Sequence, residues 1–229
     1  MDYSFLSVYY NYFISGTMVT LLISLITIFF GSILGIAFAL FKLSSFSPLR
    51  WFANIYIEIF RGTPMLLQII ISMGLLHNFI SLPVVPIGVL DIDLGRLFPG
   101  IIALSLNSGA YVAEIVRGGI NAVDIGQFEA AGALGLGKTQ TMRYIILPQA
   151  LRNILPPLGN EFIVLIKDSS LLSSIGIYEL MNSAQIVQTS AFIPLKPLYV
   201  AAVIYFILTF STSQILKIWE KKLGKGYRR

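Results

Sequence analysis

The sequence predicts an all-α polytopic membrane protein with about five transmembrane helices, an outer N-terminus and a cytoplasmic C-terminus. Of its 229 residues, 56% are apolar and 12% are charged, whereas an average soluble domain is about 45–50% apolar and about 25% charged. The apolar residues form long uncharged runs, such as Val19 to Phe41 and Pro197 to Leu216. About 20 apolar residues cross a bilayer as a helix, so these runs predict membrane spans.

The first span is predicted at about 15–42. Aromatic residues crowd the segment from Tyr3 to Phe13, which has no basic residue. Aromatic side chains favour the membrane interface, whereas a cleaved signal peptide begins with basic residues and has a shorter apolar core. We therefore expect this span to be retained and anchored at its outer end.

The second span, predicted at about 51–80, contains a helix-breaking sequence. Thr63 precedes Pro64 and therefore resists α geometry, and Gly62 adds freedom. A break within the membrane is tolerated only beside protein or a water-filled cavity. We interpret Thr63 and Gln68 as candidate residues of a substrate pathway, with a simple kink as the alternative.

The third span, predicted at about 98–120, carries the polar sequence SLNSGAY. Asn107 and Tyr111 share a helical face and could bind a carboxylate or an amide, while Gly109 allows close helix packing. The alternative is that these polar groups only hold helices together.

Two acid–base pairs lie near these spans. Glu58 and Arg61 are three residues apart, as are Glu114 and Arg117. Residues at this spacing meet on one helical face, and pairing offsets the cost of a charge within the membrane. We expect both to form structural ion pairs.

The fourth span is predicted at about 154–176 and begins at two adjacent prolines. Glu161 and Asp168 share one face and could accept the ammonium group of an amino acid, looking into a cavity opened by the break in the second span. The alternative is that Asp168 pairs with Arg61 or Lys167 and joins helices.

The fifth span, at about 196–217, is followed by the tail KIWEKKLGKGYRR, with six bases and one acid. Basic residues concentrate on alternate connections, which predicts the stated orientation and contact with anionic lipid rather than nucleic acid. The bases concerned are Lys42, Arg50, Lys138, Arg143, Arg152 and those of the tail. No stretch has a soluble composition, so residues 1–229 are predicted to form one membrane domain, with no cysteine for thiolate metal sites.

The connection at about 121–153 contains GALGLGKT (Gly132–Thr139), which matches the phosphate-binding loop pattern. That loop requires a preceding parallel strand, but the preceding VDIGQFEAA predicts a short helix. No room remains for a parallel sheet. We therefore predict no nucleotide, cofactor or metal site in this chain.

The same connection resembles the EAA loop of ATP-binding-cassette importer membrane subunits. The family pattern is E-A-A, then G, then I-x-L-P, and here it reads Glu129-Ala130-Ala131, Gly135 and Ile145-Ile146-Leu147-Pro148. EIFRGTP, SLNSGAYVAEIVRGGI and LPPLGNEFIVLIKDSSLLS are similar to sequences of the polar amino acid importer permeases. The resemblance extends over most of the chain.

Residue spacing gives this loop a physical role as well. Small residues on one face of its first helix let another surface approach closely. Gly135 and Gly137 can supply a turn that residues with a β-carbon resist. A second short helix, about 138–146, is expected to stop before Pro148. Two short helices at a bend could dock into a groove of a partner.

The resemblance implies a membrane subunit of an ATP-driven importer of small polar amino acids in the bacterial cytoplasmic (inner) membrane. It implies a second permease subunit, identical or different, an external substrate-binding protein, and ATPase subunits that hold ATP and magnesium. The chain itself would be no enzyme. An ion-coupled secondary amino acid transporter is the main alternative, although it would need more spans or inverted repeats. A membrane anchor for haem would need paired histidines, and the chain has one.

Overall fold

A computed structural model describes residues 3–79 and 81–224. Within them the chain is helical apart from one β-hairpin and short connections, which confirms the predicted fold class. The α-helices are α1 (Leu6–Leu43), α2 (Ser47–Gly62), α3 (Met65–Leu76), α4 (Leu94–Asn121), α5 (Ile125–Ala133), α6 (Lys138–Thr141), α7 (Leu147–Asp168), α8 (Leu180–Ser190) and α9 (Lys196–Gly224). Short 3₁₀ helices follow α3 (His77–Phe79) and α7 (Ser169–Ile175), and a π-helix (Met142–Ile146) joins α6 to α7.

The described residues contain three helices long and apolar enough to span a membrane, namely α1, α4 and α9. The bent pair of α2 and α3 gives a fourth if it is one span. The helix α7 is less apolar because it carries Arg152, Glu161, Lys167 and Asp168. The count of five spans and the orientation therefore stay predictions, and the last five residues of the basic tail, 225–229, lie outside the described residues.

α4 lies at the centre of the packing, against α1, α2, α3 and α7. Gly31 and Gly35 of α1 face α4, where a side chain at either position would collide with Ser108 or Val112. A β-carbon at Gly109 would approach Tyr56 Oη to 2.7 Å. Small residues thus bring α1, α2 and α4 together, and the predicted packing role of Gly109 is confirmed.

The fourth predicted span differs from the structure at its start. α7 begins at Leu147, and the prolines predicted to mark its beginning, Pro156 and Pro157, lie inside the helix. Each proline removes one backbone hydrogen bond to the residue four positions earlier. Those residues, Arg152 and Asn153, are exposed, so their carbonyl groups can be hydrated and the helix continues.

A β-hairpin precedes α4, which the sequence did not reveal. β1 (Val84–Ile87) pairs antiparallel with β2 (Leu90–Asp93), and Gly88 in the turn has φ +63°. Leu90 and Ile92 of β2 are buried against the helices. The Asp93 side chain then caps α4 by accepting hydrogen bonds from the backbone of the first helical turn.

Glu179, which the sequence did not single out either, is fully buried before α8. Its carboxylate accepts hydrogen bonds from the backbone N–H groups of Met181 and Asn182, each at 2.8 Å. It also accepts one from Tyr205 Oη of α9 at 2.7 Å. Leu180 N donates to Thr20 Oγ1 of α1. These hydrogen bonds hold the start of α8 against α1 and α9.

Candidate functional site

The break predicted between the second span's two halves is confirmed. α2 ends at Gly62, α3 begins at Met65, and the two axes differ by 109°. Thr63 is extended, with φ −118° and ψ 148°, as expected for a residue that precedes proline. A bend this sharp leaves carbonyl groups at the end of α2 without helical partners.

Side-chain amides satisfy those carbonyl groups. Gln68 Nε2 donates to Phe60 O at 2.9 Å and to Thr63 Oγ1 at 2.8 Å. Asn107 Nδ2, from α4, donates to the same Phe60 O at 2.9 Å and to Gln68 Oε1 at 3.0 Å. Three of the predicted pathway residues, Thr63, Gln68 and Asn107, are therefore brought together at the break.

A cavity of about 360 Å³ adjoins this polar cluster. Most of its wall is apolar, with Thr63, Gln68 and Ser72 as its polar members. Its other lining residues are Ile59, Phe60, Leu67, Ile71, Leu75, Leu76, Ile102, Ala103 and Leu106. An apolar cavity with a few fixed polar groups is the usual form of a small-molecule site.

Arg61 does not form the ion pair predicted with Glu58 in the described structure. Its guanidinium group instead lies over the ring of Tyr111, 5.3 Å from the ring centroid, a cation–π contact. Tyr111 is 39% exposed, so it is a surface residue beside the break. Sequence spacing could not choose between these partners, because Tyr111 lies on another helix.

The second predicted ion pair is confirmed and has an additional member. Arg117 contacts Glu114 at 2.8 Å, and Lys42 of α1 contacts the same carboxylate at 2.7 Å. The side chains of Lys42 and Glu114 are largely shielded from solvent, and that of Arg117 is more exposed. The cluster ties the end of α1 to α4, which is a structural role.

Glu161 and Asp168 do not line the cavity at the break, contrary to expectation. Glu161 is 8% exposed and lies beside Ser108 of α4. Ser108 is about 100° around α4 from Asn107, which faces the break, so Glu161 lies against a different face of α4 from the one at the break. Among the described residues neither acid has a contact ion pair. Asp168 does not pair with Arg61, and Lys167 attracts it electrostatically without such a contact.

The loop that resembles the EAA loop forms the predicted bend. α5 ends in hydrogen bonds from Leu136 N to Ala131 O and from Gly135 N to Gly132 O, both 3.0 Å. Gly135 has φ +78°, so this is a Schellman motif with glycine in the left-handed position. The segment VDIGQFEAA ahead of it is helical rather than a strand, as predicted.

Most of this loop faces outward. Glu129, Ala130, Gly135, Leu147 and Pro148 are exposed, whereas Ala131 is buried. Apolar side chains are exposed as well, notably Leu134 at 80%, Ile125 at 73% and Tyr144 at 66%. Large apolar side chains exposed on a connection between spans are typical of an interaction surface.

The second helix of the loop does not stop before Pro148, contrary to prediction. α6 passes through the π-helix (Met142–Ile146) directly into α7. Pro148 lies in the first turn of α7, where a missing N–H group costs little. The π turn, closed by Leu147 N to Met142 O, makes this continuation possible.

Comparisons with known proteins place this architecture in a class. The described helices, the broken pair and the outward-facing loop are those of a membrane subunit of a transport system. The profile of the family described as "Binding-protein-dependent transport system inner membrane component" matches residues 28–225. The chain belongs to this family.

Its relatives are amino acid permeases of ATP-binding-cassette (ABC) transporters. The chain is 43% identical to a putative glutamine transport system permease of Rickettsia felis over 212 residues, covering 93% of each protein. It is 39% identical to an arginine transport system permease of Bacillus subtilis, covering 93% of this chain and 92% of the relative. The chain is thus a transport permease and no enzyme.

Solved structures agree with this fold. A crystal structure of an amino acid ABC transporter with histidines matches with a TM-score of 0.88 and 40% identity, covering 97% of this chain and 99% of that one. A methionine ABC transporter in an inward-facing conformation matches with a TM-score of 0.76. The latter is 18% identical, so it supports the fold alone.

Proposed function

We propose that this chain forms the translocation pathway of an ATP-driven importer for small polar amino acids in the bacterial cytoplasmic membrane. The family supports a permease, and relatives named for glutamine and arginine support the substrate class. They give no support to an ion-coupled transporter. Residues 1–229 act as one membrane domain in this proposal.

The observation that carries the pathway is the hydrogen-bonded break beside a cavity. The amides of Gln68 and Asn107 hold the break open in one geometry. Asn107 Oδ1 accepts no hydrogen bond from the described residues, so it can accept one from a substrate N–H group. Arg61, also without an acidic partner there, can bind a carboxylate. Together with Thr63 and Tyr111 they suit both ends of a polar amino acid.

Glu161 and Asp168 belong to the proposed pathway for another reason. A charged side chain within a span is costly and normally has a partner, yet neither acid forms a contact ion pair in the described residues, although Lys167 attracts Asp168 electrostatically. The ammonium group or cationic side chain of a substrate would supply one. They would form a second polar position, with Glu161 beside Ser108 on another face of α4.

The outward-facing loop, with Glu129, Ala130, Ala131, Gly135, Leu147 and Pro148, is proposed to dock an ATPase subunit. ATP and magnesium would bind in that partner, and its closure would move the permease through the loop. A second permease subunit, identical or different, would complete the pathway. An external substrate-binding protein would deliver the amino acid.

The test is substrate uptake per assembled transporter in proteoliposomes. We expect Asn107→Ala, Glu161→Gln and Asp168→Asn to assemble with the ATPase and keep basal ATPase activity. Each should lower uptake roughly 10- to 150-fold, because a lost charged hydrogen bond is worth about 1.5–3 kcal/mol. Gln214→Ala on α9, an amide remote from both positions in sequence, is the control and should transport normally.

Two results would contradict the assignment. Normal uptake by well-assembled variants would remove that residue from the pathway. Poor assembly with a lowered thermal midpoint in the amide variants would show that the acids serve structure.

A further inference from the structure

A second cavity, of about 220 Å³, lies between α1, α7 and α9. Its wall is apolar except at one end. Ile28 and Phe162 line it, and so do Leu155, Leu216 and Trp219. The loop discussed above leads into α7, so the cavity lies toward the end of the helix bundle that carries this loop.

The helix α9, which forms one wall of the cavity, is exposed over most of its surface. Only 6% of the most apolar part of α9 is buried within the chain, so this helix is available to lipid. Trp219 is 63% exposed, and tryptophan concentrates at the boundary between hydrocarbon and water. An apolar slot therefore opens at a position where phospholipid head groups meet acyl chains.

Two opposite charges flank the slot. Glu220 forms part of its wall. Arg152 precedes Leu155 and Pro156 on α7 by three and four residues, so it lies on the same face one turn nearer the loop. Arg152 and Glu220 are both exposed. Among the described residues, neither forms an ion pair with the other or with any further residue.

We propose that this cavity binds a zwitterionic phospholipid with an ammonium head group, phosphatidylethanolamine, from the leaflet on the loop side. One acyl chain fills the apolar slot, Arg152 binds the phosphate and Glu220 binds the ammonium group. Glu220 would repel an anionic head group that lacks the ammonium group. The site would therefore bind phosphatidylethanolamine more tightly than an anionic phospholipid. The site does not depend on which substrate the permease carries.

Native mass spectrometry of the purified, assembled transporter tests this, with phosphatidylethanolamine or phosphatidylglycerol added in known amounts. Wild type should bind phosphatidylethanolamine more tightly. Arg152→Gln and Glu220→Gln should weaken that binding about five-fold. Leu155→Trp, which fills the slot, should weaken it about ten-fold.

Matched controls keep the test specific. Leu151→Trp places the same ring one turn away, outside the cavity lining, and Lys221→Gln removes a nearby exposed charge about 100° around α9 from Glu220. Both should bind lipid as wild type does. The glutamine variants replace exposed side chains of similar size, so they remain informative even if Leu155→Trp misfolds.

Equal binding of both lipids by wild type, or binding insensitive to the glutamine variants, would overturn the proposal in favour of unspecific boundary lipid. Because the chain has no cysteine, Leu155→Cys offers a further check. A disulfide between two copies in the assembled transporter would show that a second permease, rather than lipid, covers the cavity.

Discussion

At the scale of single residues, the bend of the EAA-like loop depends on Gly135. Its φ of +78° is a conformation that residues with a β-carbon adopt at a cost of about 1–2 kcal/mol. No neighbouring atom lies within 4 Å of the position a β-carbon would take. Substitution would therefore strain the backbone rather than cause a steric clash. The strained turn would change the orientation of the exposed surface of the loop.

We predict that Gly135→Ala reduces recovery of the ATPase with the permease and lowers uptake, without affecting membrane insertion. The reason is that the loop loses the left-handed turn that orients α5 relative to α6. Affinity purification followed by transport assays would measure both effects. Gly137→Ala is the control, because Gly137 has φ −69°, which any residue adopts. Equal losses in both variants would contradict the backbone explanation.

At the scale of elements, the contact between α1, α2 and α4 holds the helix break in place. Tyr56 of α2 donates a 2.6 Å hydrogen bond to Leu106 O of α4 and stacks on Phe38 of α1, with ring centroids 3.8 Å apart. Gly109 admits the Tyr56 hydroxyl group at this crossing. Helices in a membrane associate through such close packing rather than through hydrophobic burial.

We predict that Gly109→Ala lowers the thermal midpoint of the detergent-purified chain. The added methyl group would meet Tyr56 Oη at 2.7 Å and Leu34 Cβ at 3.0 Å, and overpacking costs about 1–3 kcal/mol. Gly118→Ala, in the same helix but with open space around it, should keep or raise the midpoint, since alanine favours helices. A midpoint for Gly109→Ala at or above that of Gly118→Ala would refute the packing argument.

At the scale of the whole molecule, the nucleotide-like sequence from Gly132 to Thr139 lies on the outward-facing loop and has no sheet around it. Among residues 3–79 and 81–224 the strands are β1 and β2, which form a hairpin far earlier in the chain. A phosphate-binding loop instead joins a parallel strand to a helix. Sequence identity with a motif therefore does not reproduce the backbone geometry that binds phosphate.

We predict that the purified chain binds and hydrolyses no ATP, and that Lys138→Ala leaves nucleotide affinity of the assembled transporter unchanged. Equilibrium binding of a fluorescent ATP analogue, with the isolated ATPase as positive control, would measure this. Saturable binding to the isolated permease, lost in Lys138→Ala, would show that the motif is functional.

Local sequence determined several features of the fold and the candidate site. Long apolar runs predicted α1, α4 and α9, and Thr63 before Pro64 predicted the break, because these signals act on the backbone of neighbouring residues. The glycine turn at Gly135 followed for the same reason. The residues of the EAA-like loop carried enough pattern to indicate the family.

Partner choice between helices was decided only by the tertiary structure. Arg61 contacts Tyr111 rather than Glu58, and Lys42 reaches Glu114, 72 residues away in the chain. Glu161 lies beside Ser108 on another face of α4 and does not line the cavity at the break, contrary to the expectation from the sequence. Helical periodicity fixes which residues of one helix share a face, whereas the neighbour of that face depends on the summed packing of distant residues such as Gly35 and Gly109.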